Sequence, residues 1–165
     1  MSKKTGPVLD LVQIAAMTAV LEAAKFLLNA LPNVELVTVL LMVYTVHFGT
    51  RKAMCSALLF ALLESIWWGI SIWTVTYFYV WPLLVIVTAM IPKSESAFMY
   101  IVLAAAYGLL FGMLCSLTTL VLSGWKAAVA WWVAGIPYDL IHCVSNGIVA
   151  AVLFRPLVHA LEKLN

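Results

Sequence analysis

The sequence predicts an all-α integral membrane protein: a six-transmembrane-helix bundle with both termini cytoplasmic and a short interfacial helix before the sixth span. Three observations predict it. Hydrophobic residues make up 65% of the 165 and charged residues only 10%, where a soluble domain is roughly half apolar and a quarter charged. Too few polar side chains remain to cover a surface in water. Apolar stretches near the roughly 20 residues that cross a bilayer recur from end to end. The basic residues are also sided. With the N-terminus inside, Lys3, Lys4, Arg51, Lys52, Lys93, Arg155 and Lys163 share the cytoplasmic face, and the other face receives Lys126 and whatever Lys25 reaches by snorkelling.

The first span covers about 8–31 and stops at Pro32-Asn33, a pair that breaks a helix. The second covers 34–48 and ends at "GTRK"; the third covers 53–70 and the fourth 74–91. Spans two and three are short, which implies little tilt or shielding by neighbours. The fifth covers 97–122 and the sixth 136–161, preceded by "KAAVAWWVA", read as the short interfacial piece because Trp125, Trp131 and Trp132 suit an interfacial belt. The loops at 32–35, 70–74 and 123–135 then face outside. No repeat, low-complexity tract or long linker divides residues 1–165, which form one membrane domain.

Several function classes are disfavoured. The formal charge is +2 with no basic patch interleaved with aromatics, so nucleic acid is not an expected partner. Cys55, Cys115 and Cys143 are far apart without a CxxC pair, which reads as small core residues and no metal site. No signal-peptide cleavage pattern follows Lys3 and Lys4. His142-xxx-Asn146 has half the spacing of some intramembrane metalloprotease motifs, but HExxH, GxSxG, a second nearby His and a Walker motif are all missing. An enzyme is not expected, and no cofactor is.

The polar residues of the spans gather toward the outer side. Glu22 and Lys25 lie in the second half of span one, Asn33 and Glu35 in the first outer loop. Glu64, Trp67 and Trp68 close span three, and Trp73, Tyr77, Tyr79 and Trp81 open span four. Asp139, His142 and Asn146 follow i, i+3, i+7 spacing, so they line one stripe of span six, flanked by the small Cys143 and Gly147. An ionisable group left in lipid costs about 2.5–3.5 kcal/mol, so such groups face a bundle interior or a wet cavity. Their convergence predicts a polar, aromatic-walled pocket open to the exterior. Blander readings stand beside it. Glu22 and Lys25 are three apart and neutralise one another on one face; Asp139 sits in a first helical turn after Pro137, at the positive end of the dipole; the stripe hydrogen-bonds to a neighbouring helix.

Three stretches carry a family resemblance. "AAMTAVLEAA" places Ala15, Ala19 and Ala23 four apart; "LPNVELVTVLLMVYTVHFG" makes the first outer loop and second span; "GIPYDLIHCVSNGIVAAVLF" with "RPL" makes the sixth. In order and spacing, over essentially the whole chain, they resemble the substrate-binding S component of an energy-coupling factor (ECF) transporter. Small residues every four positions also let a second backbone approach closely, within the bundle or from outside. The resemblance implies a multi-pass protein of a prokaryotic plasma membrane that captures a vitamin-class molecule outside and hands it to a transmembrane coupling subunit with two ABC ATPases. It implies a partner interface at Ala15, Ala19 and Ala23, and a ligand held by Asn33, Glu35, Tyr77, Trp81, Asp139, His142 and Asn146. Glu64, Trp67 and Trp68 join that list from the residue reading alone. Metal cargo is not expected, since the metal branch carries a His-bearing N-terminal segment and "MSKKTGPV" has no His. Among vitamins cobalamin is favoured, with a pyridoxine-type or other flat heterocycle open. A stand-alone binding protein or secondary carrier is the alternative.

Overall fold

The computed structural model describes residues 6–92 and 96–163. Lys3, Lys4 and Lys93, which enter the charge asymmetry, lie outside them. Of the described residues 88% are helical, and none forms a strand. Helix α1 spans Pro7–Leu28 and opens with proline at its first turn, where the missing N–H is not needed. Helix α2 spans Val37–Phe48 and α3 Thr50–Trp68, separated by Gly49 at φ 90°, a conformation that a side chain resists. Helix α4, Ile72–Met90, starts at a capping box in which Ser71 and Thr74 satisfy each other's backbone N–H groups. The run Phe98–Glu162 breaks at Gly124 (φ 80°) into α5, 98–123, and α6, 125–162.

Residues 125–135 therefore do not form a separate interfacial helix. They are the first turns of α6, a rod about 57 Å long at 1.5 Å per residue. The break falls at Gly124, where positive φ is free, and Pro137 is absorbed inside the helix instead of starting it.

Three helical runs among the described residues, α1, α4 and the α5–α6 pair, are long and apolar enough to cross a membrane. Helix α2 is apolar but short, and Arg51, Lys52 and Glu64 interrupt α3. The outer surface is correspondingly greasy: Ile70 is 89% exposed and Val121 84%. Patches of that kind are unstable in water.

Helix α2 is the axis of the bundle, packing against α1, α3, α4 and the α5–α6 pair. Every residue from Val37 to Thr45 is buried, as expected of a helix without a polar face. Helices α5 and α6 form an antiparallel hairpin joined by small residues. Ala104, Gly108, Gly112 and Ser116 recur every four positions and are buried along α5, against the stripe Asp139, His142, Asn146 and Ala150 on α6. A methyl group on Gly108 would come 2.6 Å from the His142 carbonyl oxygen, so the backbones touch there. Close approach of this kind is how helices associate where lipid offers no hydrophobic drive.

Candidate functional site

The segment between α1 and α2 folds over one end of the bundle and is tied down by α6. Asn33 adopts φ 58°, tolerated by asparagine, and its carbonyl accepts a 2.6 Å hydrogen bond from Ser145 Oγ. Two residues on, Glu35 Oε2 accepts from the Thr38 N–H at 2.9 Å, which satisfies one free donor at the start of α2. Its Oε1 lies 3.3 Å from His142 Nε2. Burial pushes the Glu35 carboxyl up, but the bonds from His142 and Thr38 outweigh it and hold the group below its ordinary value.

Beneath this loop lies a cavity of about 220 Å³. Its polar lining includes Lys25, Asn33, Glu35 and His142, and its aromatic lining Trp73, Tyr77, Trp81 and Phe111. Trp81 is the hub of the aromatic wall, with ring centroids 5.5 Å from Tyr77, 5.6 Å from Phe111 and 6.3 Å from Phe60. Phe111 meets the His142 ring edge-on at 4.9 Å. The Trp81 indole is 3% exposed and its Nε1 has no acceptor among the described residues. A buried indole N–H normally finds one, so this donor is available to a guest.

At the other wall, Lys25 forms an ion pair with Glu64 Oε2 and donates to the Tyr77 hydroxyl at 2.8 Å, its ammonium 4.5 Å from the Tyr77 ring centroid. The expected neutralisation of Lys25 by Glu22, three residues before it, is replaced by this cross-helix pair. Glu22 is buried and neither carboxyl oxygen has a hydrogen-bond partner among the described residues.

The cavity brings together five sequence-selected residues: Asn33, Glu35, Tyr77, Trp81 and His142. Glu64 stands just behind, through Lys25. The rest of the α6 stripe serves the scaffold. Asp139 Oδ1 accepts from the Gly112 N–H at 2.9 Å, and Asn146 Nδ2 donates to Thr38 Oγ1 at 3.2 Å. Each still carries an unpartnered atom, Asp139 Oδ2 and Asn146 Oδ1, as does His142 at Nδ1. Trp67 and Trp68 are not in the cavity. They are 66% and 55% exposed, both with ring centroids 6.2 Å from Phe26 on the outer surface of α1, because the last turn of α3 runs past the packed interior. Ala15, Ala19 and Ala23 lie on the exposed face of α1 and do not pack within the bundle.

Lys25 belongs to the polar convergence read from the sequence but not to its ligand list, and Phe60, Phe111 and Ser145 belong to neither. Phe111 had a readable signal, since it adjoins the small-residue stripe that seats α6; Ser145 lies one turn beyond His142 on the same helix. Among the described residues no group of three His, Cys, Asp or Glu side chains is close enough to hold a metal ion. The lining instead combines a cation, a carboxylate, a free indole donor and stacked rings, which suits a small ring-bearing molecule with hydrogen-bonding substituents. Comparison of the chain with protein-family models, with curated proteins and with solved structures finds no match.

Proposed function

We propose that this chain is a six-span, membrane-embedded receptor for a small ring-bearing molecule, acting as the S component of an ECF-type importer in a prokaryotic plasma membrane. The observation that carries the reading is the aromatic-walled cavity at the end of the bundle where Lys25, Glu35 and His142 meet Trp81. With both termini cytoplasmic, that end faces outside and the cavity opens to incoming ligand. Ligand would stack against Trp81 and Tyr77, accept from the indole N–H and donate toward Glu35. The exposed alanine stripe on α1 is offered to the coupling subunit, and two ABC ATPases in partner chains would drive release inside.

The cavity also narrows the cargo. Pockets for drug-sized ligands occupy about 300–1,000 Å³, and this one is about 220 Å³. The size favours one aromatic ring with short substituents, a pyridoxine-type molecule, over the macrocycle of cobalamin. A second reading, a carrier that works without ATPases, draws on one observation: the buried Glu22–Lys25–Glu64 cluster beside the cavity resembles the ion-coupling groups that carriers keep near their substrate sites.

Affinity purification from the native membrane separates the two readings. The first expects an ABC ATPase pair and a scaffold subunit to co-purify, and mass spectrometry of the purified chain to find a retained single-ring molecule. Recovery of the chain alone, together with uptake in vesicles lacking ATP, would overturn it in favour of the carrier.

A further inference from the structure

Glu22, Lys25 and Glu64 leave a charge unaccounted for. Glu64 is 1% exposed and Glu22 8%, both inside the bundle, yet among the described residues one cation, Lys25, stands beside them. Lys25 gives its ion pair to Glu64 Oε2 and a hydrogen bond to Tyr77. Both oxygens of Glu22, and Glu64 Oε1, have no donor among the described residues. Glu22 is buried one turn before Lys25 on α1, and Lys25 bonds Glu64 across to α3, so the two carboxyl groups flank the same ammonium. Among the described residues the titratable groups on the neighbouring helices offer no second cation beside the cluster: α4 supplies Tyr77, α5 Cys115, and α2 carries Tyr44, whose hydroxyl donates to the Met17 carbonyl, and His47 in its last turn. Across the cavity, Glu35 and His142 are engaged with each other.

An ionised carboxylate buried without a donor carries a penalty of several kcal/mol. Two carboxyls that share a buried site with one cation resolve the excess charge by holding one proton between them. We propose that Glu22 and Glu64 form a proton-binding site holding one proton between them, with Lys25 linking that site to the cavity. A hydroxyl on Glu22 directed at Glu64 supplies the donor that Glu64 Oε1 lacks, and it leaves two carboxyls, one proton and one ammonium electrically neutral. Lys25 has three N–H bonds, two of them engaged, and it also lines the cavity. A guest acceptor that draws the ammonium inward weakens its hold on Glu64 and makes the shared proton harder to lose, so binding takes up or retains a proton. That coupling rests on the small-molecule reading above; the proton site does not.

Infrared spectroscopy of the purified, ligand-free chain in lipid nanodiscs tests the site directly, through the carbonyl stretch of a protonated carboxylic acid and its shift in D2O. The wild type is expected to show the band at neutral pH. Glu22→Gln and Glu64→Gln should each abolish it, because the one remaining carboxylate pairs with Lys25 and ionises. Lys25→Met should raise its area about twofold, since two buried acids then lack a counter-charge, and Asp139→Asn should leave it intact. A wild type without the band, a band that survives either glutamine substitution, or one lost only in Asp139→Asn overturns the proposal. None of these results bears on whether the cavity binds a small molecule. The wild-type measurement stands by itself if a variant fails to fold.

Discussion

Gly108→Ala is the sharpest test of how α5 and α6 fit together. The added Cβ would lie 2.6 Å from the His142 carbonyl oxygen, 2.7 Å from its carbonyl carbon and 2.8 Å from the Cys143 nitrogen. Ordinary contact begins near 3.4 Å, so the helices must part by most of an ångström. All three obstructing atoms are backbone within a helix, and none can swing aside as a side chain would. Overpacking of a core costs about 1–3 kcal/mol, and a rigid obstruction belongs in the upper part of that range. Alanine's better helix propensity returns about 1 kcal/mol, leaving a net loss of about 1–2 kcal/mol. For a chain of this size that lowers the melting temperature by roughly 2–8 °C. Gly135→Ala is the internal control, because nothing lies within 4 Å of its added methyl; it keeps the propensity gain and melts at or above the wild type. Gly147→Ala, whose methyl meets only Ala105 Cβ at 3.4 Å, falls between them. Thermal melts of the three variants in one detergent give the ranking. If Gly108→Ala melts as high as Gly135→Ala, the helices are not in backbone contact there and the hairpin described above is wrong.

Four further outcomes follow from the site. Glu35 is held below its ordinary carboxyl value in the folded chain, so its contribution to stability is present above the unfolded value of 4.5 and is lost as pH falls through the folded one; an acid melt series of Glu35→Gln should lack that part of the wild-type decline. Asn146→Leu gives up the bond to Thr38, worth about 0.6 kcal/mol, together with a buried oxygen that has no partner among the described residues, and should leave stability unchanged or raise it by up to about 2 kcal/mol, read from unfolding in mixed micelles. For whichever molecule mass spectrometry finds in the purified chain, Trp81→Phe should weaken calorimetric affinity about three- to tenfold through loss of one N–H donor, while Trp67→Ala, which lies outside the cavity, should leave it unchanged. Lys126→Cys should react with an impermeant maleimide added to intact cells and Arg51→Cys should not; the reverse pattern would invert the topology.

What the sequence made legible was what depends on neighbours along the chain. The unbroken apolar run of α2 marks it as a core helix, and the phase of Asp139, His142 and Asn146 puts them on one stripe whatever the tertiary partners are. The partners themselves were hidden, because they come from far away. Glu35 meets His142 across 107 positions and Thr38 meets Asn146 across 108. Local spacing misdirected where a tertiary contact was better placed. Glu22 lies within a turn of Lys25, yet Glu64 on α3 takes the ammonium. Proline misled in a similar way at 137, since a proline that starts a helix and one absorbed inside a membrane helix look alike in a sequence. The tryptophans at 67 and 68 share a face with Glu64 by helical phase, but phase does not tell where along a helix the bundle stops covering it.

On the small-molecule reading proposed above, the α6 stripe answers two demands at once. Asp139 and Asn146 each give one atom to the scaffold, on α5 and α2, and His142 gives one to the loop above the cavity. Each leaves a second polar atom buried without a partner. A stripe kept only for packing would be cheaper as alanine or leucine, because interhelical hydrogen bonds in membranes average only about 0.6 kcal/mol and an unpaired buried polar atom costs about 1–3 kcal/mol. A stripe kept only for ligand would have no reason to bind Gly112 and Thr38. Holding the helices and the loop through the same residues makes the cavity wall as rigid as the hairpin behind it. His142 is therefore placed by contacts on both sides, Phe111 and the Gly108 backbone behind it and Glu35 in front. A helix shift at Gly108 should thus reach the cavity through His142, so that Gly108→Ala weakens ligand binding as well as lowering the melting temperature, without touching a residue that lines the site.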